Sequence, residues 1–272
     1  MDQTSKASTR SSANSFASTE SIGDIGIITL KNQAKRNALS HDMMRALSEA
    51  FARFTQEKIR VVVLRAEPGI KVWSAGHDIN ELPAGGSDPL NYADPMEETL
   101  RAIRMFPGPV IAMVQGSVWG GAFDLVLSCD MILADETATF AITPVNLGLP
   151  YNTTGLLHFM GRLRLNVVKE LFFTAAPIPA EVAARWGIIN HLLPSAELEA
   201  YTMEAAKRMA TKAPLAMAVI KEQLRVLSDY QPIPAQVFER IQDMRRTVYE
   251  SADYREGIAA FKEKRSPIFK GE

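Results

Sequence analysis

The chain has 272 residues, 47% of them hydrophobic, with 30 basic residues against 31 acidic ones and a single cysteine, Cys129. That much apolar matter closes a core without staples. One cysteine excludes an internal disulfide, and the near-zero charge balance excludes a nucleic-acid binder that works through a general basic field. No apolar run approaches the roughly 18 residues that cross a bilayer, so no membrane span is expected, and a reducing, cytoplasmic setting is the simpler reading.

In chain order, the first 21 residues hold seven serines and three threonines and no apolar h-region, which reads as a disordered tail rather than a leader peptide. Residues 25–30 read as a strand. Asn37-Ala38-Leu39-Ser40 then leads into a helix over 41–56, with Ser40 as N-cap and Met43, Met44, Leu47, Ala50, Phe51 and Phe54 on one apolar face. Val61 to Leu64 is a continuous apolar run of the kind found in a strand buried on both faces. A loop with Pro68, Gly69, Gly76, Pro83, Gly85 and Gly86 follows. Asp94-Pro95 opens a helix that Pro107 and Pro109 end. Residues 110–114 are a second buried strand, 116–121 a glycine-rich turn, and a short helix runs on to Ser128. Two short strands, 131–134 and 139–142, complete a βαβ rhythm and a layered α/β core.

From Tyr151 the pattern is mostly helical. A helix over 179–186 closes at Gly187, Ser195 caps a long helix to 211, and further helices cover 213–228, 234–249 and 252–264. The division expected is a tail over 1–21, a core domain over 22–200 and a helical oligomerisation region over 201–272.

Chemistry concentrates in two loops. Val72-Trp73-Ser74-Ala75-Gly76-His77-Asp78-Ile79 follows the 61–64 strand, and Gly116-Ser117-Val118-Trp119-Gly120-Gly121-Ala122-Phe123-Asp124 follows the 110–114 strand. In open α/β sheets ligands gather beyond the carboxyl ends of strands. Gly120-Gly121 also precedes a helix, whose first N–H groups have no intrahelical partner and sit at the positive end of the dipole. Glycine there lets a ligand reach the backbone, which makes a seat for an anion or oxyanion; tight packing is the alternative reason for such a pair.

The two loops in this order, followed by Ala134-Asp135-Glu136-Thr137-Ala138-Thr139-Phe140, resemble the crotonase (enoyl-CoA hydratase/isomerase) superfamily. Arg36-Asn37-Ala38-Leu39 and the ending Phe261-Lys262-Glu263-Lys264-Arg265-Ser266-Pro267 are similar to that family too, so the resemblance spans nearly all of the chain beyond the tail. It implies an α/β spiral of ββα units with C-terminal helices that make trimers, often paired as hexamers. It implies that the backbone N–H groups of His77 and Gly121 form an oxyanion hole for a thioester carbonyl. Ala38, Ala75 and Ile79 would line a coenzyme A channel, and Lys264 would reach a coenzyme A phosphate. The partner implied is an acyl-CoA thioester, with no cofactor beyond the coenzyme A of the substrate.

The reaction turns on what is missing. Hydratases of the family use two glutamates; here those positions are Asp124 and Val145, and valine transfers no proton. Each general acid or base is worth roughly a hundredfold or more in rate. Decarboxylation of a malonyl-type thioester forms the enolate directly and needs no base. Ile142, Thr143 and Val145 are expected as pocket residues, with Asp124 beside them. By resemblance to decarboxylases of the family, Tyr151 orients the carboxylate, and His77 sits beside the reacting carbon and delivers the proton that quenches the enolate. The expected activity is decarboxylation of methylmalonyl-CoA or malonyl-CoA. The alternatives are hydration or thioester hydrolysis of another acyl-CoA, and a non-catalytic acyl-CoA binder. His41, His158 and His191 lack metal-ligand spacing and read as structural, so no metal is expected.

Overall fold

The computed structural model describes residues 9–13, 16–83, 92–229 and 232–272. Gly85 and Gly86 of the expected loop, and residues 1–8 and 14–15 of the expected tail, lie outside them. The elements in chain order are β1 (Thr9–Ala13), β2 (Ala17–Ile22), β3 (Ile25–Leu30), α1 (His41–Gln56), β4 (Val61–Ala66), β5 (Val72–Ser74), α2 (Pro95–Met105), β6 (Val110–Val114), β7 (Ser117–Trp119), α3 (Gly121–Ser128), β8 (Met131–Asp135) and β9 (Thr139–Ala141). Then come α4 (Thr153–Arg162), α5 (Leu165–Thr174), β10 (Ile178–Pro179), α6 (Ala180–Arg185), β11 (His191–Leu193), α7 (Ser195–Ala210), α8 (Pro214–Asp229), α9 (Ala235–Glu250) and α10 (Ala252–Lys262).

Two sheets result: seven strands in the order β1-β2-β3-β4-β6-β8-β11, and four in the order β10-β9-β7-β5. Consecutive strands fall in different sheets and a helix follows each pair: β4, β5, α2; then β6, β7, α3; then β8, β9, α4. That is the expected spiral of ββα units. The strands from β3 to β11 run parallel, and β5, β7 and β9 do so in the smaller sheet.

The larger sheet is buried on both faces, as its continuous apolar strands require. Val62, Leu64, Val110 and Ala112 face the main core with Phe51 and Phe54 of α1, while Val61, Val63, Ile111 and Leu133 pack on Leu198 and Ala206 of α7. Trp73 of β5 is fully buried and donates from its indole N–H to Met113 O of β6 at 2.9 Å, tying the two sheets together.

Three expectations need correction. The expected tail does not reach residue 21: β2 pairs antiparallel with β3 from Ala17↔Leu30 to Ile22↔Ile25, and its residues alternate buried and half-buried. Ser and Thr at alternate positions of an edge hairpin carry the period of a strand without the apolar signal. The core does not end at 200, because α7 crosses that point and lies on the large sheet with Leu198, Thr202, Ala205 and Ala206 buried. Ser195 opens α7 but does not cap it; its hydroxyl donates to Asp135 Oδ2 at 2.7 Å.

The last helices are more than an appendage. Tyr254 donates to Pro83 O at 2.8 Å and Tyr249 to Pro150 O at 3.2 Å, and α10 packs on the 3₁₀ turn Pro144–Leu147. They clamp the segments that border the site described next. No helix among the described residues is long and apolar enough to cross a membrane.

Candidate active site

The loop after β5 is anchored by the segment before α1. Asn37, fully buried, donates to Trp73 O at 3.0 Å, and Ser74 donates to Asn37 O at 2.7 Å. Leu39 N–H donates to Gly76 O at 2.8 Å and Asp78 N–H to Leu39 O at 3.2 Å, a single parallel bridge around His77. In such a bridge the groups of the flanking residues are consumed and those of His77 itself point the other way. The Arg36-Asn37-Ala38-Leu39 stretch therefore builds the loop, and its Ala38 does not border the cavity.

The second loop meets the first. Gly120 has φ +52°, and its N–H donates to Ala141 O at 2.8 Å, which turns the chain from β7 into α3. Gly121 is the first residue of α3, whose eight residues are all buried, so its N–H faces outward from the helix start. A Cβ on Gly76, at φ +82°, would lie 2.4 Å from Trp119 O, so only glycine lets the loops come this close. A Cβ on Gly121 would lie 3.7 Å from the His77 nitrogen. The two amides thus converge on one spot, and among the described residues neither donates to a backbone carbonyl.

The spot opens into a cavity of about 70 Å³. Of the expected site residues, Ala75, His77, Ile79, Gly121, Thr143 and Tyr151 border it. Ile142, Val145, Asp124 and Lys264 do not. Ile142 is 1% exposed in the main core and Val145 is 46% exposed on the 3₁₀ turn, so neither supplies apolar wall. Lys264 is exposed just beyond α10. The apolar wall comes from Leu82, Met96, Pro144, Leu147 and Leu149, which sequence reasoning missed. Met96 arrives on α2, and Leu147 and Leu149 are held by the C-terminal helices through contacts far apart in sequence.

The electrostatics are set by a buried row behind the cavity. The Tyr151 hydroxyl donates to Asp124 Oδ2 at 3.0 Å, and Asp124 Oδ1 stands 2.8 Å from His158 Nδ1. Asn152 caps α4 and donates to Glu97 of α2 in the same cluster. Burial holds the Tyr151 phenol well above its usual range, and Asp124 pushes the same way. Burial alone would lower the His158 imidazole, but the Asp124 carboxylate outweighs it and the net direction is upward from 6.5. Burial raises Glu97 above 4.5, and the nearby Asp124 adds to that. His158 is therefore an ionisable member of this cluster rather than a merely structural histidine.

His77 is differently placed. Its Nδ1 lies 3.1 Å from Asp78 O. A carbonyl only accepts, so Nδ1 carries the proton and the neutral ring presents Nε2 as an acceptor. Proton delivery by His77 therefore requires the imidazolium. Cys129 is buried, its thiol pushed up to about 12 by burial, and is an inert small hydrophobe. Among the described residues no group of three or more His, Cys, Asp or Glu side chains is placed to hold a metal ion.

Two converging amides at the start of a buried helix, on a spiral of ββα units, define a class, and the comparisons agree with it. The family model for enoyl-CoA hydratase/isomerase matches residues 20–272, and the chain belongs to that family. It is 48% identical over 256 residues to the methylmalonyl-CoA decarboxylase of Escherichia coli (strain K12), covering 94% of this chain and 98% of that one. A solved methylmalonyl-CoA decarboxylase in complex with 2-nitronate-propionyl-CoA superposes with a TM-score of 0.94 at 48% identity, over 96% of this chain and 100% of that one. One complexed with 2S-carboxypropyl-CoA also gives 0.94, at the same identity and coverage.

Proposed function

We propose that this chain decarboxylates methylmalonyl-CoA to propionyl-CoA, with malonyl-CoA as the smaller substrate of the same chemistry. The thioester carbonyl lies between the His77 and Gly121 amides. As the bond from Cα to the carboxylate breaks, its electron pair moves toward the thioester oxygen and CO2 leaves. Fixed donors aimed at the developing oxyanion are worth roughly a hundredfold to a thousandfold each. Thr143 and Tyr151 border the end of the cavity where the carboxylate sits. His77, in its imidazolium form, returns a proton to Cα.

The observation that carries this reading is the state of the carboxylates. A hydratase needs them free to activate water, whereas Asp124 is 1% exposed with both oxygens engaged and Val145 is turned out of the cavity. An apolar cavity with two amides and no free carboxylate suits a reaction that generates its own carbanion.

Ala75 and Ile79 at the cavity, Ala38 beside them and Lys264 on the C-terminal segment would contact coenzyme A, with Lys264 serving its own site or a neighbouring subunit's. No further cofactor is required by this chemistry. Leu215, Val219, Leu224 and Leu227 of α8 are exposed apolar residues, which supports a homotrimer or a pair of trimers, and the setting is the cytoplasm.

The test measures CO2 release from methylmalonyl-CoA beside hydration of crotonyl-CoA. Release with little hydration is expected; hydration without release would replace this reading with the hydratase one.

A further inference from the structure

A phenol has one proton to give, and that of Tyr151 is already given to Asp124 Oδ2 at 3.0 Å. A carboxylate can only accept, so His158 Nδ1, 2.8 Å from the other oxygen, must be the donor of that bond. Asp124 is 1% exposed, and His158 and Tyr151 are each 8% exposed, so water does not complete the set. Tyr151 alone belongs to both the row and the catalytic cavity. The packing admits no slack: a Cβ on Gly155 would lie 2.2 Å from Tyr151 Cε1 and 2.8 Å from Asp124 Oδ2.

We propose that Asp124 and His158 are positioning residues that hold the Tyr151 proton out of the cavity, so that the substrate carboxylate meets a wall with no hydrogen-bond donor from this tyrosine. This rests on the decarboxylase reading and deepens it. A carboxylate deprived of donors is poorly solvated. The neutral CO2 and the enolate that replace it, the latter held by the two amides, need no such donors at that wall, so the arrangement favours bond breaking over binding. The raised phenol keeps its proton, and the raised imidazole keeps its donor, which preserves the direction of both bonds. Tyr151 then shapes the carboxylate end of the cavity with its ring and an oxygen lone pair, instead of hydrogen-bonding the carboxylate.

The test uses the full-length protein and two thioether ligands: 2S-carboxypropyl-CoA, which carries the carboxylate, and propyl-CoA, which lacks it. In Tyr151→Phe the ratio of the two affinities should stay within about twofold of wild type; a selective loss of about tenfold for the carboxylate ligand would show that the hydroxyl donates to it, and would overturn the proposal. Asp124→Asn supplies an amide N–H to the phenolic oxygen and frees the O–H, so it should bind 2S-carboxypropyl-CoA about tenfold tighter, leave propyl-CoA unchanged and turn over more slowly. Equal or weaker binding of the carboxylate ligand there would contradict it. His158→Gln, which keeps an N–H donor, should resemble wild type, and His158→Leu should move toward Asp124→Asn. If Asp124→Asn does not fold, the Tyr151→Phe ratio decides alone. Wild type that releases no CO2 from methylmalonyl-CoA removes the decarboxylase reading, while the affinity ratios still report on the wall.

Discussion

Gly76 and Gly121 stand on two loops that touch, yet they are glycine for different reasons. Gly76 has φ +82° and faces a backbone carbonyl that would sit 2.4 Å from its Cβ. Gly121 starts α3, outside the positive-φ set, and its nearest obstacle is the flexible end of Met96, 2.6 Å from a built Cβ. The first glycine is demanded by the fold and the second by whatever must approach the amides. A glycine-rich motif is therefore two statements, one about backbone strain and one about access, and variants separate them.

The largest effect is expected at Gly76. Gly76→Ala meets strain of about 1–3 kcal/mol from its φ alone, with the clash against Trp119 O on top, so thermal unfolding should show a large loss of stability together with loss of activity. Gly121→Ala should separate the two properties: it keeps its N–H but sets a methyl group beside it, so kcat for CO2 release should fall by up to the roughly hundredfold to thousandfold that loss of one oxyanion donor costs, with the melting temperature nearly unchanged. If Gly121→Ala instead unfolds the protein, the contrast between the two glycines is lost. Gly155→Ala lies between them. Its Cβ would strike Tyr151 and Asn152, so both stability and the ratio of carboxylate to non-carboxylate ligand affinity should change.

A smaller effect is a pH dependence from the buried row. The His158 pKa is raised above 6.5 in the folded chain, so its stabilising contribution is complete below 6.5 and is lost as pH rises through the folded value. Glu97, raised above 4.5, acts with the same sign from that lower starting point. Denaturant unfolding from about pH 6 to about pH 9 should show stability falling, with a shallower fall in His158→Leu. An equal slope in the variant would mean that His158 is not the titrating group.

What the sequence revealed follows the same division between backbone and access. Val61–Leu64 and Val110–Val114 are legible because β-branched and apolar runs are what a strand buried on both faces looks like. The paired loops were legible as glycines beside strand ends. The short strands β5 and β7, three residues each, carry no readable period and were hidden in the loops. The cavity wall was misassigned for a related reason. Ile142 lies just before a 3₁₀ turn and Val145 within it, and no local pattern fixes the direction of that turn, while Leu82, Met96 and Leu149 are brought in by remote packing. One signal was available and unused: Gly155 and His158 are three residues apart on α4, which puts them on one face of that helix, just past Tyr151 and the Asn152 cap.

The central claim is that the His77 and Gly121 amides both reach one thioester oxygen. The direct measurement is the infrared stretching frequency of the carbonyl in isotope-labelled propionyl-CoA bound to the protein. Two amide donors should move it to lower frequency than in water, and Gly121→Ala should return part of the shift. A bound carbonyl that absorbs where the free one does, in wild type, would contradict the account.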